Sequence, residues 1–150
     1  MGVIKVSITR EYSWEMGHAL MHHEGKCYNV HGHNYKLELE VSGEVDSVDG
    51  MVWDFGLLDK TVKPLIAEQL DHKFLYNKED TRFHSSQRIR RCNRGIDGTT
   101  AFDKEPTAEN LALWIWEILI GYFQIITRPL QVESVTIYET DKSWATVRGS

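Results

Sequence analysis

The chain predicts an α+β fold in the order strand, strand, helix, helix, strand, strand. Three observations carry that reading. Two long stretches near the start alternate apolar and polar residues. Two later stretches repeat their apolar residues at helical spacing, and two short alternating runs close the chain.

The first stretch runs over residues 3 to 18. Ile4, Val6, Ile8, Tyr12, Trp14 and Met16 share one parity, against Lys5, Ser7, Thr9, Glu11, Ser13 and Glu15. That pattern describes a half-buried strand. Arg10 interrupts the apolar side and marks a bulge or a subunit contact. In the second strand His33, Tyr35, Leu37, Leu39 and Val41 share a parity, against Asn34, Lys36, Glu38, Glu40 and Ser42. After a turn-rich connection, Asp54 is a helix N-cap. A helix follows over about residues 55 to 70, with Leu58, Val62, Leu65, Ile66 and Leu70 as its stripe. Pro64 inside it predicts a kink. Thr107 N-caps a second helix that runs to about Tyr122. The closing strands fall at about residues 132 to 139 and 143 to 147. In the first of them Glu139 shares parity with Val135 and Ile137, and Val132 with Ser134, Thr136 and Tyr138.

Chemistry gathers where the first two strands approach each other. His18 lies on the apolar parity at the end of the first strand, and His31 and His33 lie on it at the start of the second. Side chains two apart on a strand share a face, so three imidazoles converge. Three histidines with a fourth position left free describe a catalytic zinc site rather than a structural one. His22 and His23 sit in the coil between the strands. They have no strand parity to aim them, read as solvent-facing or as lining an entrance, and stand as alternatives to His18. The same coil carries Cys27 beside Lys26. A thiol next to a cation or a metal loses its proton near neutral pH.

Three further places are candidates. Asp71-His72, after the first helix, reads either as a polar helix end or as an acid–base pair. Glu139 reads either as a wet strand end or as a carboxylate that accepts two adjacent N–H donors from a ligand, such as a pterin or guanine edge. Residues 77 to 105 contain Arg82, Arg88, Arg90, Arg91 and Arg94, with no acid from Thr81 to Arg94. Most of that run is a solvated loop. One or two of its guanidinium forks suit a polyanionic substrate. Cys92, in the same stretch, reads as an incidental thiol.

Composition bounds the rest. The 150 residues, 41% hydrophobic and 26% charged, fit one domain with a core of its own. A net charge of −5 argues against general nucleic-acid or membrane binding. Two cysteines make no disulfide framework, and with no export signal in view the expected compartment is the cytoplasm.

These pieces together resemble one family. Gly17-His18-Ala19-Leu20, Gly25-Lys26-Cys27, His31-Gly32-His33-Asn34-Tyr35, Gly50-Met51-Val52 with Asp54-Phe55, Leu70-Asp71-His72, Pro106-Thr107-Ala108-Glu109-Asn110 and Glu139-Thr140 are similar to the motifs of the 6-pyruvoyl-tetrahydropterin synthase / 6-carboxy-tetrahydropterin synthase family, in its order. The resemblance implies a tunnelling fold (T-fold), with a four-stranded antiparallel sheet and two helices on one face. Three subunits would pool their sheets into a barrel, and two rings would stack into a homohexamer with active sites between subunits. It implies His18, His31 and His33 as zinc ligands, Cys27 as the base, Asp71 and His72 as a relay from a neighbouring subunit, and Glu139 as the pterin anchor. Lys26 and Thr107 join Glu139 as substrate contacts.

The three-residue gap from Cys27 to His31 resembles the carboxy-forming branch of queuosine biosynthesis. The implied reaction takes 7,8-dihydroneopterin triphosphate to 6-carboxy-5,6,7,8-tetrahydropterin, acetaldehyde and triphosphate, with no redox cofactor. Two alternatives stand beside it: an enzyme that stops at 6-pyruvoyl-tetrahydropterin, and a pterin- or purine-binding protein whose zinc is structural. The arginine-rich insertion at about residues 77 to 105 departs from the family pattern.

Overall fold

The computed structural model describes residues 2–84 and 99–150. Arg88, Arg90, Arg91, Cys92 and Arg94 lie outside the described residues. Strand β1 (Val6–Ala19) and strand β2 (His31–Gly43) pair antiparallel from Val6 opposite Gly43 to His18 opposite His31, without a break. Strand β5 (Gln131–Thr140) joins the other side of β2, and strand β6 (Ser143–Arg148) pairs with β5.

Among the described residues the sheet has six strands, not four. The two missed strands are β3 (Phe74–Asn77) and β4 (Thr99–Phe102), four residues each. They run parallel, β3 beside the end of β1 and β4 beside β3, so the order is β4-β3-β1-β2-β5-β6 and the sheet is mixed. β3 takes up the outer edge of β1, whose Gly17 N–H donates to the Lys73 carbonyl at 2.9 Å. The approach is close there: a Cβ on Gly17 would stand 3.2 Å from both the His31 carbonyl oxygen and the Phe74 ring. Four residues are too few for a period-two pattern to stand out.

The helices cover one face. Helix α1 (Phe55–Val62) starts at Asp54, whose carboxylate accepts from Leu57 N–H at 3.1 Å. Pro64 cannot donate to the carbonyl four residues back, and the backbone widens into a π-helical turn over Lys63–Ala67 before the last turn, α2 (Glu68–Leu70). Helix α3 (Ala108–Phe123) is capped by Thr107, which accepts from Asn110 N–H at 3.2 Å. Leu58, Val62 and Ile66 on one side, and Leu111, Ile115 and Leu119 on the other, close over Tyr12, Trp14, Tyr35, Leu37, Leu39, Val135 and Ile137 in one core.

Three sequence expectations change. Ile4 precedes β1 and is 85% exposed, so the apolar parity of the first strand begins to be buried only further along. Arg10 makes neither a bulge nor a break in register. It leans onto α1 and holds Asp59 with two parallel N–H···O bonds of 3.0 and 2.9 Å. A bulge between the Val41–Val132 and Glu40–Ser134 pairs leaves Glu133 as the extra residue, so Val132 and Val135 are both buried in the core. Among the described residues no helix is long and apolar enough to cross a membrane.

Leu37 is fully buried on β2, between β1 and β5. Leu37→Ala is expected to lower unfolding free energy by about 2–5 kcal/mol, read from urea titrations. An unchanged midpoint would contradict this packing.

Candidate active site

The register of β1 on β2 sets His18 directly opposite His31, with His33 two residues further along the same face. The three rings meet with centroids 4.5, 5.0 and 5.1 Å apart. One nitrogen from each lies within 4.8 Å of the others.

Backbone carbonyls decide which nitrogens face inward. His18 Nδ1 lies 2.7 Å from the Pro106 carbonyl oxygen, and His31 Nδ1 lies 2.7 Å from the Asn29 carbonyl oxygen. A carbonyl only accepts, so each Nδ1 carries the proton and each Nε2 is left with a bare lone pair. These two Nε2 atoms stand 2.9 Å apart. Two lone pairs at that distance repel unless a cation or a proton stands between them. His33 Nε2 is buried and has no hydrogen-bond partner. Three convergent acceptors, two of them oriented by carbonyls, fit a bound metal ion.

Electrostatics point the same way. His18 is 1% exposed, and burial foremost lowers its pKa to about 4, despite the opposing pull of the Pro106 carbonyl. Burial, then His31, lowers His33 as well. Both are therefore neutral at pH 7. Glu139, its side chain 24% exposed, brings Oε2 to 3.9 Å from His33 Nε2. Burial raises its pKa, Glu109 raises it further, and His31 partly offsets both. Tyr35, which the sequence placed only in the core, stands with its hydroxyl 3.2 Å from His18 Nδ1. Burial pushes its phenol up, and the charges of Glu139 and Cys27 add to that.

The remaining candidates divide. Cys27 is a free, half-buried thiol in a 3-10 turn over Lys26–Tyr28, and Lys26 beside it is exposed. His22 and His23 are exposed, and His23 Nδ1 accepts from Gly25 N–H at 2.8 Å, so neither joins the cluster. Thr107 is half-buried and its hydroxyl oxygen is engaged in the helix cap.

Asp71 and His72 contact each other at 2.9 Å, beside Glu15 of β1. His72 has φ +57, the one positive value for a non-glycine among the described residues. The strain is held by His72 N–H donating to Glu15 O at 2.7 Å, and by Glu15 N–H donating to the Asp71 carboxylate at 3.1 Å. An open groove of about 550 Å³ has His72 and His33 on its walls. Arg82 is not a free fork for phosphate, because its guanidinium is bound to Asp80.

The sequence pattern of the 6-pyruvoyl tetrahydropterin synthase family matches residues 7–150, and the chain belongs to that family. A protein of Haemophilus influenzae named 6-carboxy-5,6,7,8-tetrahydropterin synthase is 34% identical over 140 residues, covering 91% of this chain and 94% of the relative. A 6-pyruvoyl tetrahydrobiopterin synthase of Poecilia reticulata is 35% identical over 127 residues, covering 83% and 71%. The solved structure of Caenorhabditis elegans 6-pyruvoyl tetrahydropterin synthase superposes with a TM-score of 0.66 at 29% identity, over 99% of this chain and 98% of that one.

His18 has an ordinary pKa of 6.5 and one of about 4 in the fold. Between those values the unfolded chain binds more protons, so stability rises with pH. Metal-free protein should keep this contribution, about 3 kcal/mol at most, above about pH 6.5, and lose it as pH falls towards 4. His33 adds in the same direction. Urea midpoints of chelator-treated protein should therefore fall from pH 7 to pH 4 by less in His18→Leu than in the wild type. Equal slopes would contradict the shift.

Proposed function

We propose that this chain is a zinc-dependent lyase. It converts 7,8-dihydroneopterin triphosphate, with water, to 6-carboxy-5,6,7,8-tetrahydropterin, acetaldehyde and triphosphate, a step towards queuosine. The observation that carries the reading is the opposed pair of Nε2 lone pairs on His18 and His31, beside the orphaned His33 Nε2. The name of the Haemophilus influenzae relative supports the carboxy-forming product, as does the three-residue gap from Cys27 to His31.

Zinc, when held by His18, His31 and His33, supplies a Lewis acid for negative charge that builds on side-chain oxygens of the substrate. The chain's own groups do the rest. Cys27 takes the proton from the substrate side chain as thiolate. Asp71 orients His72 through their 2.9 Å contact, and His72 passes protons on. Glu139 accepts two N–H bonds from the amino-pyrimidinone edge of the pterin. Those donors favour its ionised form and oppose the burial that raises its pKa. Lys26 and Thr107 complete the substrate contacts.

The working unit is a cytoplasmic homohexamer of two stacked rings, with each active site shared between subunits. Each subunit is a single domain with an arginine-rich insertion at about residues 77 to 105. Among the described residues the sheet of one chain ends in β4 and β6. Edges of that kind accept another strand, which supports ring closure.

The Poecilia reticulata relative keeps a second product in view, 6-pyruvoyl-tetrahydropterin. Incubation with 7,8-dihydroneopterin triphosphate and mass spectrometry of the products separates them. Acetaldehyde with the 6-carboxy product is expected, and a 6-pyruvoyl product would replace the reading. Zinc binding without turnover would point to a binding protein. Cys27→Ala should lose nearly all turnover and keep its zinc. His31→Ala should lose zinc on dialysis, measured by elemental analysis.

A further inference from the structure

Asp80 and Arg82 take no part in the chemistry above, yet they are built as a unit. Asp80 is 2% exposed. Its carboxylate accepts Arg82 Nε at 2.9 and 3.2 Å, Arg82 Nη2 at 2.6 Å, and the Arg82 backbone N–H at 3.2 Å. A buried carboxylate must be paired. This pairing also fixes the plane of the guanidinium, leaving Nη1 to reach across to another segment. Nη1 donates to the carbonyl oxygen of Tyr28. The guanidinium carbon stands 3.6 Å from the centroid of the Tyr28 ring. One side chain therefore grips Tyr28 by both its backbone and its ring.

Tyr28 separates the two atoms of the loop that matter most. Cys27 precedes it. Asn29, whose carbonyl takes the His31 Nδ1 proton, follows it. The turn's own bonds, Tyr28 N–H to Gly25 O and Asn29 N–H to Lys26 O, tie it only to itself. Leu20 N–H to Cys27 O at 2.9 Å ties it to the end of β1. Earlier in the loop, Glu105 accepts from the Met21 and His22 N–H groups. Arg82 ties down the later half.

We propose that Arg82, oriented by Asp80, is a positioning residue for Cys27, holding the Lys26–Tyr28 turn so that the thiol meets the substrate. This rests on Cys27 being the proton-abstracting base. Lysine cannot replace it, because a point charge gives neither the planar fork nor the stack on Tyr28.

The test uses the metal-loaded full chain and 7,8-dihydroneopterin triphosphate, with Arg82→Lys, Asp80→Asn, Cys27→Ser and Arg82→Lys/Cys27→Ser. Misplacing a reacting group by about 1 Å costs on the order of a hundredfold in rate. Arg82→Lys and Asp80→Asn should therefore each lose about ten- to a hundredfold in kcat, with KM changed by less than about twofold. In the Cys27→Ser background Arg82→Lys should cost nothing further, because the group it positions is already gone. A melting curve for each variant establishes that it is folded; if Asp80→Asn is not, Arg82→Lys decides alone.

The role of Arg82 is overturned by wild-type kcat in Arg82→Lys, by a loss that appears in KM alone, which marks a substrate contact, or by the same loss in the Cys27→Ser background. If Cys27→Ser itself keeps the wild-type rate, the base assignment falls and this inference with it. If Cys27→Ser is slow and Arg82→Lys is not, only the role of Arg82 falls.

Discussion

The register of β1 against β2 is the constraint from which the site follows. Thirteen consecutive pairs run without a slip from Val6–Gly43 to His18–His31. The same parity that buries Tyr12, Trp14, Tyr35 and Leu37 aims His18, His31 and His33. A slip of one residue would turn the core of one strand to solvent. The large apolar residues therefore defend the alignment of the imidazoles, and the hydrophobic core sets the geometry of a polar site at its end.

Strand register brings the rings together but does not orient their nitrogens. That task falls to two carbonyls from irregular backbone: Asn29, just before β2, and Pro106, just before the cap of α3. Loops are the mobile parts of a fold, so carbonyls used in this way need anchors. Pro106 has the cap of α3 directly after it and Glu105 directly before it, and Glu105 is bound to the Met21 and His22 N–H groups. Asn29 has the 3-10 turn and the grip of Arg82 on Tyr28. The site is a rigid sheet end finished by two braced loops.

This division explains what could be read from residues alone. Period-two alternation reports strand faces, so the triad, the long strands and the parity of Glu139 were legible. Helix caps have a side-chain signature, so Asp54 and Thr107 were legible too. A carbonyl belongs to every residue, and nothing in the letters for Asn29 or Pro106 says where it points. β3 and β4 are four residues each and owe their place to the open edge of β1, a tertiary demand that leaves little local pattern. The bulge at Glu133 shifted the parity of Val132 for the same reason. Arg82 sat in a basic run and suggested phosphate; its buried partner two residues back is visible only in the fold.

Burial acts on the site's groups with opposite signs and one result. It lowers His18 and His33 and raises Glu139 and Tyr35. Every one of these shifts favours the uncharged form, as desolvation must. A pocket of neutral acceptors with a carboxylate at 3.9 Å is costly to leave without a cation. A divalent ion would turn that cost around: it gives the bare imidazole nitrogens a partner and favours the ionised carboxylate. Hydrogen-bond donors on a pterin edge would act on Glu139 in the same sense. Metal and substrate would then each make the other's protein contacts stronger, and the opposed lone pairs and the buried acid are what such a coupling needs.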